Sequence, residues 1–239
     1  MQIETVRIDG RFQGPPRSGN GGYACGLTAR RLVGTTAVRL KAPPPLDANL
    51  RLESAADQAW LFHDSSLIGE ARRADLDLSA PDAPSYEQAV RASGSFIGFK
   101  KHQFPRCFVC GPLRSEGDGL RIFPGTLQGV PAIAAPWVPD ASLAGPSGHV
   151  EHEYLWSALD CPSGFVHEPL PGGVGIVLGE LCASVVREVS PGVACLVIAW
   201  PVGINGKKRF SGSAIYGADG RLVAKARATW IEIPLSQWQ

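Results

Sequence analysis

The chain has 239 residues, which is one large domain or two small ones, and 23 Lys+Arg against 22 Asp+Glu leave a formal net charge of +1. That balance argues against nucleic-acid binding through bulk electrostatics. With 44% hydrophobic and 19% charged residues the chain has material for a core and is not of the disordered class.

Its 28 Gly and 20 Pro imply many turns without reaching low complexity. The longest apolar stretch, Val193 to Ile204, is broken by Pro201 and Gly203 and is shorter than the roughly 18 residues of a membrane span. The opening MQIETVRIDG lacks the basic and apolar regions of a secretory signal. Six cysteines in that setting read as cytosolic thiols and not as a disulfide framework, so the expected location is the cytoplasm.

In chain order, Glu4 to Phe12 reads as a strand and Gly21 to Leu32 as a helix. Thr36 to Lys41, Asn49 to Ser54, Ala59 to His63 and Leu67 to Leu78 are further strands, punctuated by Pro43-Pro44-Pro45, Ala55-Ala56-Asp57 and Asp64-Ser65-Ser66. Residues 79–118 break the pattern. They hold a linker-like Ser79-Ala80-Pro81-Asp82-Ala83-Pro84, a short helix at Tyr86 to Ala92, and Cys107-Phe108-Val109-Cys110-Gly111-Pro112.

The layout then repeats, with a strand at Ala132 to Val138 and a helix at Val150 to Asp160. Four strands follow: Gly175 to Arg187, Val193 to Ile204, Lys208 to Tyr216 and Arg221 to Ile233. Asn205-Gly206 and Ala218-Asp219-Gly220 supply hairpin turns. In the last strand Leu222, Ala224, Ala226, Ala228 and Trp230 alternate with a mostly polar set, the pattern of a half-buried antiparallel strand. A repeat of about 110 residues is a duplicated domain and not a solenoid. The expected division is 1–80, a connecting segment 81–118 carrying the CxxC, and 119–239.

Several motifs lead nowhere. Gly19-Asn20-Gly21-Gly22-Tyr23-Ala24 matches a dinucleotide-binding spacing, but Pro15-Pro16 interrupts the approach and Arg39 and Lys41 stand where an acid is needed. There is no nucleophile elbow and no P-loop. Cys107 and Cys110 have no second CxxC, and His102 is the nearest His. Two small buried thiols before a tight turn is the favoured reading over metal. His149 and His152 lack a third ligand in register and read as surface or capping residues, so no metal is expected.

Two helix starts carry more. Asn20 caps two residues without side chains, which bares main-chain N–H groups at the positive end of a helix, a place for an anion or a developing oxyanion. Asp160 closes the apolar helix containing Leu155, Trp156 and Ala158. Burial, and the helix C-terminal dipole if the helix stops at Pro162, would raise its pKa and suit it as a general base or nucleophile. The alternative is an Asp that merely caps the turn Pro162-Ser163-Gly164.

These stretches resemble the hotdog-fold acyl-CoA thioesterases, specifically the phenylacetyl-CoA and 4-hydroxybenzoyl-CoA thioesterase branch in a double-hotdog arrangement. Cys107-Phe108-Val109-Cys110-Gly111-Pro112 with Gly119-Leu120-Arg121-Ile122 looks like that family's segment before the first strand. Asn20-Gly21-Gly22 looks like its His-Gly-Gly, with Asn for His, and Leu159-Asp160 like its Leu-Asp nine residues after the His. The resemblance implies an α+β fold of two tandem hotdogs, each a long central helix wrapped by an antiparallel sheet.

It also implies hydrolysis of an acyl-CoA or acyl-carrier thioester at a site shared by the halves. Gly21 or Gly22 would bind the oxyanion, Asn20 would orient the thioester or water, and Asp160 would act as base or nucleophile. Nine residues after Asn20 stands Ala29, and Glu151-His152-Glu153 replaces the glycines in the second half, so the opposite site is expected to be dead. Tyr23 and Trp156 are candidates for substrate contact, as is Lys207-Lys208-Arg209 for the CoA phosphates, beside Lys100-Lys101 and Arg72-Arg73. Trp60, Phe62, Trp137 and Phe165 join Trp156 as pocket or core aromatics. No cofactor is implied beyond the CoA of the substrate, no nucleic acid or membrane partner, and a homodimer is expected by analogy. The alternatives are a non-catalytic acyl-CoA-binding protein and a hotdog hydratase or dehydratase.

Overall fold

The computed structural model describes residues 1–238. Strand β1 (Gln2–Arg7), helix α1 (Gly21–Ala29) and strands β2 (Thr36–Leu40), β3 (Asn49–Ser54), β4 (Gln58–His63) and β5 (Ser66–Arg73) form the first set. Helix α2 (Tyr86–Ser93) and the short strand β6 (Gly125–Thr126) lie in the connecting stretch. Strand β7 (Ile133–Trp137), helix α3 (His152–Phe165) and strands β8 (Val174–Val185), β9 (Cys195–Asn205), β10 (Lys208–Gly217) and β11 (Leu222–Pro234) form the second.

All eleven strands join one antiparallel sheet in the order β1-β3-β4-β5-β2-β8-β11-β10-β9-β7-β6. The order reads the same outward from the β2–β8 seam in both directions, with β6 as the one addition at an edge. This is the duplication made visible, two tandem hotdogs in the α+β class. At the seam Val38 faces Leu181 and Arg39 faces Glu180, where the guanidinium pairs with the carboxylate at 3.0 Å.

The two longer helices lie against the same face of the sheet and against each other. α1 packs on β2, β4, β5 and β8, and α3 on β7 to β11. The main core fills this space, with Leu50, Leu52, Leu61, Trp156, Leu159, Leu181 and Ile215 fully buried. α2 lies elsewhere. Its Ala89 and Ala92 pack with Ala134, Ile198, Ala214 and Tyr216 in a second apolar cluster. Val197 and Ile215 serve the main core while Ile198, Ala214 and Tyr216 serve the second, so these strands are apolar on both faces.

Several boundaries differ from the sequence reading for local reasons. The first strand ends at Arg7, because the Asp9 side chain accepts from the Arg11 N–H and starts a turn at Gly10–Phe12. α1 stops at Ala29, with the Leu32 N–H bonded back to its carbonyl. β5 ends at Arg73, short of Leu78, where pairing with β2 and β4 runs out.

The largest difference is in α3, which continues through Pro162 to Phe165. Proline forfeits one helical hydrogen bond, and serine hydroxyls reinforce this turn. Ser213 Oγ donates to the Leu159 carbonyl at 2.7 Å and Ser163 Oγ to the Asp160 carbonyl at 2.6 Å. Trp230 Nε1 in turn donates to Ser163 Oγ at 3.0 Å. The turn that carries Asp160 is thereby tied to β10 and β11.

Candidate active site between the two helices

The site is built where the start of α1 meets the middle of α3. Asn20 is the N-cap of α1: its Oδ1 accepts the Tyr23 N–H at 2.9 Å, satisfying one of the helix's orphan donors. Capping fixes the side chain, and the amide's other end reaches across to α3. There Nδ2 donates to Asp160 Oδ2 at 2.9 Å and lies 3.6 Å from Cys161 Sγ.

Glycine is required for the approach. A Cβ on Gly22 would stand 2.5 Å from Asp160 Cβ and 2.6 Å from the Trp156 carbonyl oxygen; one turn on, a Cβ on Gly26 would stand 2.7 Å from Glu153 Cα. These bare positions let the helices touch main chain to main chain. The Gly22 N–H then donates to Asp160 Oδ2 at 2.8 Å.

Asp160 is thus held by two donors on one oxygen, while its buried Oδ1 has no hydrogen-bond partner among the described residues. Its pKa is raised to about 7, chiefly by burial and further by Cys107. The Gly22 N–H and the Asn20 amide pull the other way and do not prevail. The dipole of a helix ending at Pro162 is not a cause, since α3 runs on to Phe165.

The oxyanion assignment divides between the two glycines. The Gly22 N–H is occupied by Asp160. Gly21, the first residue of α1, has an N–H without a partner among the described residues, and Gly21 lines the adjoining cavity. That cavity has a volume of about 700 Å³. Asn20, Asp160 and Cys161 border it together with apolar groups that include Leu40, Phe104, Phe165, Ile176, Leu178 and Trp230.

The expected substrate contacts fall elsewhere. Tyr23 stacks on Phe12 with ring centroids 4.2 Å apart and meets Tyr154 at 5.9 Å. As third residue of its helix it points to the third residue of the other helix, into the core. Trp156 is 1% exposed and donates Nε1 to His152 Nε2 at 2.9 Å. Neither borders the cavity.

Lys207, Lys208 and Arg209 lie at the β9–β10 hairpin, also outside the lining, and Arg209 is engaged by Glu232. Of the other basic pairs, Arg73 is paired with Asp57. The cations that do border the cavity are Lys101 and Lys41, the latter 2.7 Å from Glu70. Among the pocket aromatics named from sequence, only Phe165 lines it. Trp137 is buried in the core, and Phe62 stacks under the Arg51 guanidinium.

At the opposite end, Glu151 caps α3 without a side-chain hydrogen bond. Glu153 approaches Arg30 at 3.4 Å, and Ala29 is fully buried where the second acid would stand.

Sequence reasoning missed the surroundings of Asp160. The 104–122 loop brings Cys107 and Cys110 against Cys161, so that the three sulfurs lie within 4.8 Å of one another, with Cys107 and Cys161 at 3.6 Å. Hydrogen bonding from Cys110 and Cys161 pulls the Cys107 thiol down, and burial pushes Cys110 up. His102, whose Nδ1 accepts the Phe104 N–H at 3.0 Å, also lines the cavity. The Cys107–Cys110 spacing was a signal for this cluster; Cys161, far along the chain on another element, was not.

No protein-family model matches the chain, and no curated protein does. Solved structures do match. A thioesterase II candidate from Thermobifida fusca YX superposes with a TM-score of 0.64 at 14% identity, covering 98% of this chain and 93% of its own. A hot dog fold protein of Alicyclobacillus acidocaldarius gives 0.62 at 12%, over 97% and 93%. The tesB protein of Mycobacterium avium subsp. paratuberculosis gives 0.62 at 11%, over the same shares. At these identities the likeness is one of fold, and it extends over both halves.

Proposed function

We propose that the protein hydrolyses acyl thioesters, with an acyl-CoA as the substrate and one working site at the α1–α3 junction. The observation that carries this reading is Asp160: a buried carboxylate clamped through Oδ2 by Asn20 and Gly22, with Oδ1 unpaired among the described residues, beside an apolar cavity. A carboxylate with a pKa near 7 is matched to proton transfer at neutral pH.

With the acyl group in the apolar cavity, its carbonyl oxygen is placed toward the Gly21 N–H. Asp160 removes a proton from a water as that water's oxygen bonds to the carbonyl carbon. The tetrahedral oxyanion is held by the Gly21 N–H at the positive helix end. Collapse breaks the carbon–sulfur bond, and the thiolate leaves with the proton returned from Asp160. A cavity of about 700 Å³ has room for a medium-length or aromatic acyl group. Lys101 is the cation assigned to the CoA phosphates, since Lys41, which also borders the cavity, is paired with Glu70.

The test is thiol release from short, medium, long and aromatic acyl-CoAs by the wild type and Asp160→Asn. Hydrolysis of at least one class, reduced about 100- to 10,000-fold in a folded variant, is expected for loss of a general base. No release from any ester overturns the catalytic reading; saturable binding without release would identify an acyl-CoA-binding protein instead. Equal rates in the two proteins remove Asp160 from the mechanism. A single turnover in 18O water that leaves label in Asp160 would replace the base by a nucleophile.

A further inference from the structure

The thiols beside the site form a cluster the hydrolytic reading does not use. Cys107 and Cys110 are buried, Cys161 is half-buried, and all are free. They come from two elements, a loop and the middle of α3, so their meeting is a product of the fold.

The loop has the build of a metal knuckle. The Gly111 N–H bonds back to the Cys107 carbonyl at 2.9 Å. A Cβ on Gly111 would stand 2.5 Å from that carbonyl oxygen and 2.6 Å from the Cys107 nitrogen, so the turn closes only on glycine. The base of the loop is pinned by Phe108 N–H to the Gln13 carbonyl at 2.7 Å and Leu120 N–H to the Phe108 carbonyl at 2.8 Å.

The distances suit a tetrahedral ion. Zinc–sulfur bonds of about 2.3 Å put tetrahedral sulfurs about 3.8 Å apart. Cys107 and Cys161 stand at 3.6 Å and the whole set within 4.8 Å, so small side-chain adjustments close the triad. All three cysteines border the cavity, as does Asp160, leaving a fourth position on a side that water can reach. Soft thiolate ligands with one such position favour zinc over magnesium or calcium.

We propose that Cys107, Cys110 and Cys161 bind one zinc ion, with its fourth coordination position on the cavity side. The ion ties the 104–122 loop to α3 one residue beyond Asp160, so it braces the wall of the site. This stands apart from thioester hydrolysis and is tested without an activity readout.

The full chain is purified under reducing conditions without a histidine tag and its metal measured by elemental analysis. About one zinc per chain is expected. Replacement by cobalt(II) should give sulfur-to-cobalt charge-transfer absorption in the near ultraviolet and the intense visible bands of a tetrahedral thiolate site. Cys161→Ser should weaken zinc in a chelator competition by at least about 100-fold, more than loss of a supporting contact costs. Cys195→Ser, remote from the cluster, should not change it.

Three free thiols that take up no added zinc overturn the proposal. So does zinc binding unchanged by Cys161→Ser, a Cys107–Cys161 disulfide in metal-free protein, or copper or iron in place of zinc. Should Cys161→Ser fail to fold, the cobalt spectrum of the wild type decides: sulfur charge-transfer bands support the site, and their absence overturns it.

Discussion

The starts of α1 and α3 are equivalent positions of a duplicated fold, and they have been put to opposite uses. Asn20-Gly21-Gly22 is an end capped by the Asn20 side chain and otherwise bare, turned toward the ninth residue of α3, Asp160. Glu151-His152-Glu153 is uncapped and bulky, and the ninth residue of α1 opposite it is Ala29. At one end the polar groups of two helices converge on a single carboxylate beside a cavity. At the other Glu153 goes to Arg30 and His152 to Trp156. Both junctions bury a carboxylate; duplication in one chain lets one of them, Asp160, border a cavity while the other, Glu153, is turned to an arginine.

The contrast is broken first by the Asp160→Asn measurement, which should remove turnover while changes at the other junction leave it alone. The next effect is Gly22→Ala. Its methyl group would meet main chain on α3, which cannot swing aside, so overpacking of about 3 kcal/mol is expected, with a fall in melting temperature and in turnover. Gly21→Ala meets side chains alone, Leu178 at 3.0 Å and Leu40 at 3.5 Å, and should cost less than half as much. Equal losses in thermal unfolding would mean that α1 does not ride on α3 through Gly22.

Asn20 separates stability from chemistry. Asn20→Ala removes the cap and the amide donor together, about 1 kcal/mol of stability plus a loss of rate. Asn20→Ser keeps a capping oxygen but is too short to donate to Asp160. It should therefore retain most of the stability while losing rate about as far as Asn20→Ala. An Asn20→Ser variant with wild-type kcat would show that the amide only caps.

The strand and helix order was legible because each half carries its own local signals. Asn205-Gly206 and Asp219-Gly220 mark hairpins, alternation marks the strand from Leu222, and Asn20 marks the start of α1. The reading failed where distant chain decides. Pro162 looks like a helix end, but Ser213 and Ser163 brace the turn around it, and Ser213 arrives from β10. Tyr23 and Trp156 have the chemistry of pocket aromatics, yet the helix pairing turns them into the core. Asp160 and Gly22 could be paired across the halves only through the family resemblance, which implies a site shared by two helices. Cys161 could not be joined to Cys107 in that way, since no spacing encodes a loop folding back onto a helix.

A smaller effect is expected at the cavity. If Lys101 meets the CoA phosphates, Lys101→Ala should raise KM for an acyl-CoA several-fold with kcat unchanged, and more at low salt, where exposed charges are least screened. The same acyl group on N-acetylcysteamine, which carries no phosphate, should show no difference. A shift with both thioesters would place Lys101 at the acyl end.

The smallest effect comes from the packed junction and is one of pH. Burial raises the pKa of Glu153 above its ordinary value, and the Arg30 guanidinium at 3.4 Å only partly opposes this. Folding therefore disfavours the ionised form of this carboxyl relative to the unfolded chain. Its contribution to stability is complete below the ordinary carboxylate range and is lost as pH rises through the raised value. Glu153→Gln holds the uncharged form at every pH. Near pH 4 the variant and the wild type should unfold at similar denaturant concentrations, and by pH 7 the variant should be the more stable, with its rate of thioester hydrolysis unchanged. A wild type that gains on the variant as pH rises would mean that the Arg30 pair outweighs burial. The second junction would then be held by its ion pair and not by a carboxyl that packs best uncharged.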